Sequence, residues 1–363
     1  MPASYSAGMI KPVYIRAARA ICAQETFPQN ELPDQLADAT NNTLFYKHPE
    51  YSKYFTIMQL RRMSRITRTG LVAAIECLAD AGIKKPEAII TGTGKGSITD
   101  TEKFIRNIQE FKEGTLNPTP FIQSTYNSLN GLISLHHDTS CYNTTFVHRG
   151  HSLELALTDA MLLFNEGSIE NALVGSFEEI SPEHFIIKQK LGYWKKEPVS
   201  CKELLAVETP GSIAGEGTFF FVLQKGPEGA MAKLHAMRLL FEPTEEILTE
   251  AIKQLLEDHQ LSSGDIDLVF LGDNGDIRHK GNYMAVAGMF SNEVHVQGFK
   301  QACGEFDTAA GFALWLAVLA AKNQRIYEGL TIRQGNRPSY KNILIYNNYN
   351  GQQHSIYLVQ QAH

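Results

Sequence analysis

The sequence predicts an α/β protein, and three observations carry that reading. Short apolar runs such as Ala88 to Thr91 and Leu268 to Leu271 have the length and composition of strands buried on both faces. Between them lie longer segments, such as Ser152 to Asn165 and Thr244 to Asp258, whose apolar residues recur at helical spacing. The alternation runs through the whole chain, so helices are expected to cover both faces of a sheet.

Taken in order, Val13 to Cys22 predicts an opening strand, and Met58 to Ala81 a single helix stopped at Gly82. Ala88 to Thr91 is a strand that runs into the glycine-rich turn Gly92 to Gly96. A helix then begins near Asp100 and carries Thr101, Phe104, Ile105 and Ile108. Asn143 to Val147 is rich in β-formers, Ser152 to Asn165 is helical, and Ala172 to Val174 is a short strand. Thr218 to Gln224, with three consecutive phenylalanines, closes this half. Lys225 to Ala230 breaks the pattern and divides the chain into residues 1–225 and 226–363. Beyond it come a strand over Lys233 to Leu240, a helix over Thr244 to Asp258 and a strand over Leu268 to Leu271. A helix over Phe306 to Lys322 and strands over Ile343 to Tyr346 and Ile356 to Val359 complete the chain. No short repeat is visible.

A length of 363 residues allows one large core or two fused ones. The net charge of -6 gives nucleic-acid binding no electrostatic basis. The longest apolar stretch, Ala309 to Ala321, is about 13 residues against the roughly 20 of a spanning helix, so no membrane segment is expected. No basic-then-apolar signal opens the sequence, and its first eight residues read as an unstructured leader. Cys22, Cys77, Cys141, Cys201 and Cys303 are scattered and odd in number. They fit a reducing cytoplasm rather than a disulfide framework or a zinc knuckle.

Residues 300 to 311 read Lys-Gln-Ala-Cys-Gly-Glu-Phe-Asp-Thr-Ala-Ala-Gly. This run resembles the β-ketoacyl synthase signature K-S-x-x-G-H-x-x-G-A-A-G, with Glu305 in place of a catalytic histidine. Four further segments resemble that family in the same order. Leu60 to Arg65 is similar to its arginine-rich helix start, and Gly92 to Gly96 to its early glycine-rich turn. Val174 to Glu178 is similar to its V-x-G-G-x-E strand end, and Ala214 to Gly217 to its G-E-G turn. The resemblance spans residues 13 to 360 and implies a thiolase-like fold, with duplicated βαβ-rich halves in a five-layered α-β-α-β-α sandwich.

The resemblance also says where chemistry should sit. In active members a cysteine lies at the N-terminus of a buried helix, where the helix dipole and backbone N–H groups lower its pKa and form an oxyanion hole. Here that position is Gly150, within Val147 to Ser152. The place of the first family histidine is taken by Asn274, within Phe270 to Gly275, and that of the second by Glu305. Lys300 is retained. The final loop, N-x-G-F-G-G in the family, reads Asn347 to Gln352 and keeps only Gly351. A carboxylate cannot act as the neutral imidazole that donates to a thioester carbonyl. No residue is therefore assigned a catalytic role.

The implied function is that of a chain-length-factor-type subunit. It would lack the Cys-His-His residues and pair with an active ketosynthase, or with itself, in fatty-acid, polyketide or aryl-polyene biosynthesis. Acyl carrier protein would be a partner, and no cofactor or metal is implied. The lines LRRMSRITRTG and FVHRGHS are similar to short ketosynthase-like proteins of aryl-polyene or flexirubin assembly. The strand Asn143 to Val147 would lie at the dimer interface, and Phe121, in Pro120 to Thr125, on the acyl tunnel.

A competing reading is an active 3-oxoacyl-[acyl-carrier-protein] synthase or acyltransferase with a rearranged site, using Ser152, His151 or Cys141. A third is a homodimeric scaffold that binds carrier protein or acyl chains without chemistry. Ser152 has no G-x-S-x-G elbow around it and reads as a helix N-terminal hydroxyl, while Cys141 reads as a buried structural thiol. His148 and His151, with His136, His137 and Asp138, lack a third ligand at helical spacing for a metal. The Gly92 turn lacks the phosphate-loop spacing. Arg61, Arg62, Arg65 and Arg68 read as solvated or salt-bridged, and Lys300 with Glu305 as an ion pair in an emptied pocket.

Overall fold

The protein was analysed as a computed structural model, which describes residues 11–112 and 114–362. The expected leader over the first eight residues lies outside the described residues. The first half opens with β1 (Val13–Ile21), followed by the two-residue β2 (Thr43–Leu44), α1 (Ile57–Leu60) and α2 (Arg65–Ala81). Then come β3 (Ala88–Gly92), α3 (Ile98–Glu110), α4 (Thr119–Ser124), α5 (Ser128–His136), β4 (Tyr142–Phe146) and α6 (Ser152–Glu166). β5 (Asn171–Glu178), α7 (Pro182–Lys190), β6 (Ala214–Gly215) and β7 (Gly217–Gln224) complete it.

The second half contains β8 (Ala232–Phe241), α8 (Glu245–Asp258), β9 (Leu268–Leu271), α9 (Lys280–Gly288) and β10 (His295–Gly298). It ends with α10 (Lys300–Cys303), α11 (Ala310–Asn323), β11 (Thr331–Arg333), β12 (Asn342–Tyr349) and β13 (Gln353–Gln361).

The strands of the first half lie in the order β4-β3-β5-β7-β1, and those of the second in the order β10-β9-β12-β13-β8. Numbered by appearance within its own half, each set reads 3-2-4-5-1. The first three strands are parallel and the remaining pairings antiparallel in both sets. Antiparallel pairing of β1 with β8 joins the sets into one 11-stranded sheet, with β11 added at one edge and β4 at the other.

Three cores define the layers. α2 and α5 cover one face of the first set of strands through Leu71, Val72, Cys77, Leu129 and Ile133. α8 and α9 cover the outer face of the second set through Leu248, Ile252, Leu255 and Val286. Between the sets lie α6 and α11. α11 is buried from Ala310 through Ala321, as an apolar helix without a polar face must be. The result is the mixed α/β, thiolase-like architecture that the resemblance implied.

Two helices differ from the sequence reading. The single helix expected over Met58 to Ala81 is two, because Ser64 is extended (ψ 166°) and its hydroxyl caps the N-terminus of α2 by accepting from Thr67 N. The helix expected from Phe306 begins at Ala310. Gly304, at φ 77°, ends α10, and Glu305 to Ala309 form a buried connection that faces the site. Within the described residues no helix is long and apolar enough to cross a membrane.

Candidate functional site

β4 feeds a single 3-10 turn, Arg149–His151, that leads directly into α6 and places Gly150 at the helix entrance. Gly150 N donates to Gln353 Oε1 at 2.8 Å. A Cβ added to Gly150 would lie 2.5 Å from Cβ of Tyr349 and 2.8 Å from its Cγ, closer than non-bonded atoms approach. Tyr349 ends β12 and stands third in the loop Asn347 to Gln352, where the resembling loop has a glycine. The Tyr349 side chain therefore fills the space beside Gly150.

The second group assembles around Glu305. Lys300 Nζ donates to Glu305 Oε2 at 2.7 Å and to the Asn348 carbonyl at 2.8 Å. Asn274 Nδ2 donates to the same Glu305 oxygen at 2.6 Å. All three side chains are buried. The structure thus brings Lys300, Glu305 and Asn274 together, as the sequence reading placed them, and Glu305 forms the ion pair expected with Lys300. Glu305 Oε1 has no hydrogen-bond partner.

Beside this group lies a second set of charges that the sequence reading missed. Lys95, from the turn after β3, pairs with the buried Asp307. Gly94 allows that approach, since a Cβ there would sit 2.4 Å from Asp307 Cγ. Glu178, at the end of β5, accepts from Gly94 N. Burial, followed by the nearby Asp307, pushes the Glu178 carboxyl up to about 8. Burial also works against ionised Asp307, but Lys95 and Lys188 outweigh it and hold that carboxyl well below the usual range.

Lys188, on α7, points inward with its nitrogen 3.1 Å from the Tyr349 hydroxyl and 3.9 Å from Asp307 Oδ2. Its ammonium lies 5.0 Å from the Tyr193 ring centroid and 5.4 Å from those of Trp194 and Tyr349. The run FIIKQK carries no signal for it, since Ile186 and Ile187 are exposed on α7 while Lys188 is buried. Its partners lie too far along the chain for spacing to have identified them.

The weaker candidates are dispersed. Ser152 Oγ faces the carbonyls of Thr93 at 3.0 Å and Arg149 at 2.8 Å and accepts from His148 N, so its hydroxyl is engaged by backbone. His151 Nε2 lies 3.1 Å from the His354 carbonyl, and burial lowers its pKa. Cys141 packs at the margin of the α2–α5 core, at the opposite end of β4 from Gly150. Phe121, on α4, is 55% exposed, with its ring centroid 5.2 Å from that of Phe104. Arg65 is salt-bridged, as its sequence reading allowed: its guanidinium grips Glu216, of the Ala214 to Gly217 turn, at 2.7 and 2.6 Å. Among the described residues no cluster of three His, Cys, Asp or Glu could hold a metal ion.

Comparison with known proteins bears on the fold that carries these residues. Residues 37–214 match the family described as "Beta-ketoacyl synthase, N-terminal domain". No curated protein matches the sequence significantly. Among solved structures, a β-ketoacyl synthase from Burkholderia phymatum is similar with a TM-score of 0.77 at 16% identity, covering 97% of this chain and 99% of that one. The ishigamide ketosynthase/chain length factor is similar with a TM-score of 0.77 at 14% identity, covering 97% and 99%. A type II PKS acyl-carrier protein in complex with its ketosynthase bound to the hexaketide gives 0.73 at 14% identity, covering 96% and 99%. At such identities the likeness is one of fold. Residues 37–214 are therefore similar to the β-ketoacyl synthase N-terminal domain, within a fold that resembles those three solved structures from end to end.

Proposed function

We propose that this protein is a ketosynthase-like subunit of the chain-length-factor type, which does not itself carry out condensation. The observation that carries the proposal is the contact between Gly150 and Tyr349. The nucleophile's position has no side chain, and the space for one is filled. The Glu305 group supports the same reading. Active synthases stabilise a developing enolate with neutral donors, whereas a carboxylate at that point repels it.

In this proposal the protein pairs with a catalytically complete ketosynthase, or with a copy of itself, and meets acyl carrier protein in a cytoplasmic fatty-acid, polyketide, aryl-polyene or flexirubin-type pathway. A neighbour in fold that is a ketosynthase/chain length factor, and another solved with an acyl-carrier protein, favour such partners. The edge strand β4, unpaired on one side and half-exposed, is the proposed pairing surface. Phe121, which is not a core residue, is the proposed wall of a tunnel that the partner completes. The proposed units of duplication are 1–225 and 226–363.

Co-expression with a catalytically complete ketosynthase from the same genome tests this function. The expected result is co-purification and a change in product length when this chain is left out. Incubation with acyl carrier protein thioesters should give no covalent acyl adduct by intact-protein mass spectrometry. An adduct on Ser152, His151 or Cys141 would instead establish an active acyltransferase with a rearranged site.

A further inference from the structure

Lys195, on the connection from α7 to β6, is buried like Lys300 but has no carboxylate for a partner. Its nitrogen donates to the carbonyls of Val207 at 3.1 Å, Thr209 at 2.7 Å and Gly275 at 2.7 Å, and to Thr209 Oγ1 at 3.1 Å. All four partners are neutral oxygens. An ammonium has three N–H donors, so the oxygens outnumber the hydrogens. Carbonyls converge in this way where they replace the hydration shell of a spherical cation. Magnesium and calcium would draw such oxygens in to roughly 2.0–2.6 Å. The wider cage around Lys195 suits a large monovalent ion.

We propose that these oxygens form a monovalent-cation site of potassium or ammonium size, filled from within by Lys195, and that Lys195 is thereby the positioning residue for Asn274. The inference stands on the cage and the adjoining turn and does not need the subunit reading above.

The cage joins stretches that are distant in sequence. The backbone of Lys195 is fixed on both sides: its N–H donates to the Ser212 carbonyl at 2.8 Å, and its carbonyl accepts from Asn42 Nδ2 at 2.9 Å. Thr209 bridges Asp276 in parallel register, and its carbonyl also accepts from Ile277 N at 3.3 Å. Gly275 has φ 73°, and a Cβ there would run into the Leu204 carbonyl, so the turn that presents its oxygen requires glycine.

Asn274 comes immediately before that glycine. Its Oδ1 accepts from Asp276 N at 3.1 Å, and its Nδ2 donates to Glu305 Oε2 at 2.6 Å. A cation on the Gly275 carbonyl therefore holds the turn, and the turn sets the direction in which Asn274 faces. Without a cation, buried carbonyls would converge with no donor between them, and the turn would relax. Asp276 and Asp273 add negative charge from further off, which favours a cation in the cage.

Lys195→Ala empties the cage and leaves the space of the lost side chain open to an ion. Full-length parent and variant are compared in tetramethylammonium chloride, whose cation is too large for the cage, and in potassium or ammonium chloride at equal ionic strength. Hydrogen exchange of the Gly275 and Asp276 amides reports on the turn. In tetramethylammonium these amides should exchange about ten-fold or more faster in Lys195→Ala than in the parent, because hydrogen bonds to a charged donor are lost. Potassium or ammonium should restore most of the protection, with saturation, and the parent should respond to neither. The side-chain amide resonance of Asn274, in protein made with isotope-labelled asparagine, should leave its parent position in the variant and return with potassium.

Exchange that stays fast in every salt overturns the proposal, and so does exchange in tetramethylammonium as slow as the parent's. An Asn274 resonance that never moves while protection does would strike out the positioning role. A variant that folds in potassium but not in tetramethylammonium supports the site. If Lys195→Ala folds in no salt, Thr209→Val decides, since it removes one cage oxygen and keeps the lysine. The same amides should then exchange about three-fold or more faster than in the parent. Unchanged exchange in Thr209→Val overturns the proposal.

Discussion

Gly150 and Tyr349 meet so closely that a Cβ on the glycine would lie 2.5 Å from Cβ of the tyrosine. One belongs to the turn before α6 and the other to the end of β12, so the contact joins the two halves of the chain at the site. The Tyr349 hydroxyl continues to Lys188, 3.1 Å away. The contact at Gly150 is thus part of an interior that runs on to α7.

Placing a cysteine at position 150 should therefore strain the packing. Gly150→Cys is expected to lose roughly 1–3 kcal/mol from overpacking, read as a lower denaturation midpoint. Because the two side chains share one space, the loss in Gly150→Cys combined with Tyr349→Gly should be smaller than the sum of the two single losses, by about 0.5–3 kcal/mol. A single variant as stable as the parent would show that the contact is soft.

The Lys300–Glu305 pair should behave as a buried ion pair. Lys300→Met leaves a carboxylate buried with only Asn274 as donor and should cost about 3–5 kcal/mol in denaturant unfolding. The double variant Lys300→Met with Glu305→Leu removes both charges and should cost clearly less. Equal losses in the two proteins would mean that packing, not the charge pair, holds this corner.

Phe121 separates stability from product length. Since the ring is largely exposed, Phe121→Ala should unfold within about 0.5 kcal/mol of the parent. In the co-expressed pair it should lengthen the products, and Phe121→Trp should shorten them. Unchanged products from a folded, co-purifying Phe121→Ala protein would take this residue off the tunnel.

Glu154, one turn into α6 from Gly150, is wholly buried beside Ser355 and Tyr357. Burial pushes its pKa from the usual 4.5 up to about 7. Below about pH 4.5 the group is neutral in both folded and unfolded chains. As pH rises from there to about 7, the unfolded chain gives up a proton that the folded one keeps. Stability therefore falls across that window and levels off above it. Glu178 adds a slope of the same sign, so parent and Glu154→Gln must be compared at each pH. The variant should be about 3 kcal/mol more stable than the parent at pH 8, with a smaller gap at pH 5. A gap independent of pH would assign the effect to packing.

The sequence by itself determined the α/β class, most of the strands, and the pairing of Lys300 with Glu305. These features are carried by local signals: side-chain periodicity within one element, glycines at turns, and motifs that keep their order along the chain. Tertiary structure alone decided the matching 3-2-4-5-1 order of the two strand sets, because a pairing order leaves no mark on the spacing of residues within a strand. It also decided that Ser64 splits a helix the periodicity left whole, since the change of direction lets Arg65 reach Glu216. The same holds for Tyr349 against Gly150, and for Lys188 beside Asp307 and Lys95. Each of these contacts joins residues distant in sequence, and their geometry exists only once α6, α7 and β12 have packed around a common interior.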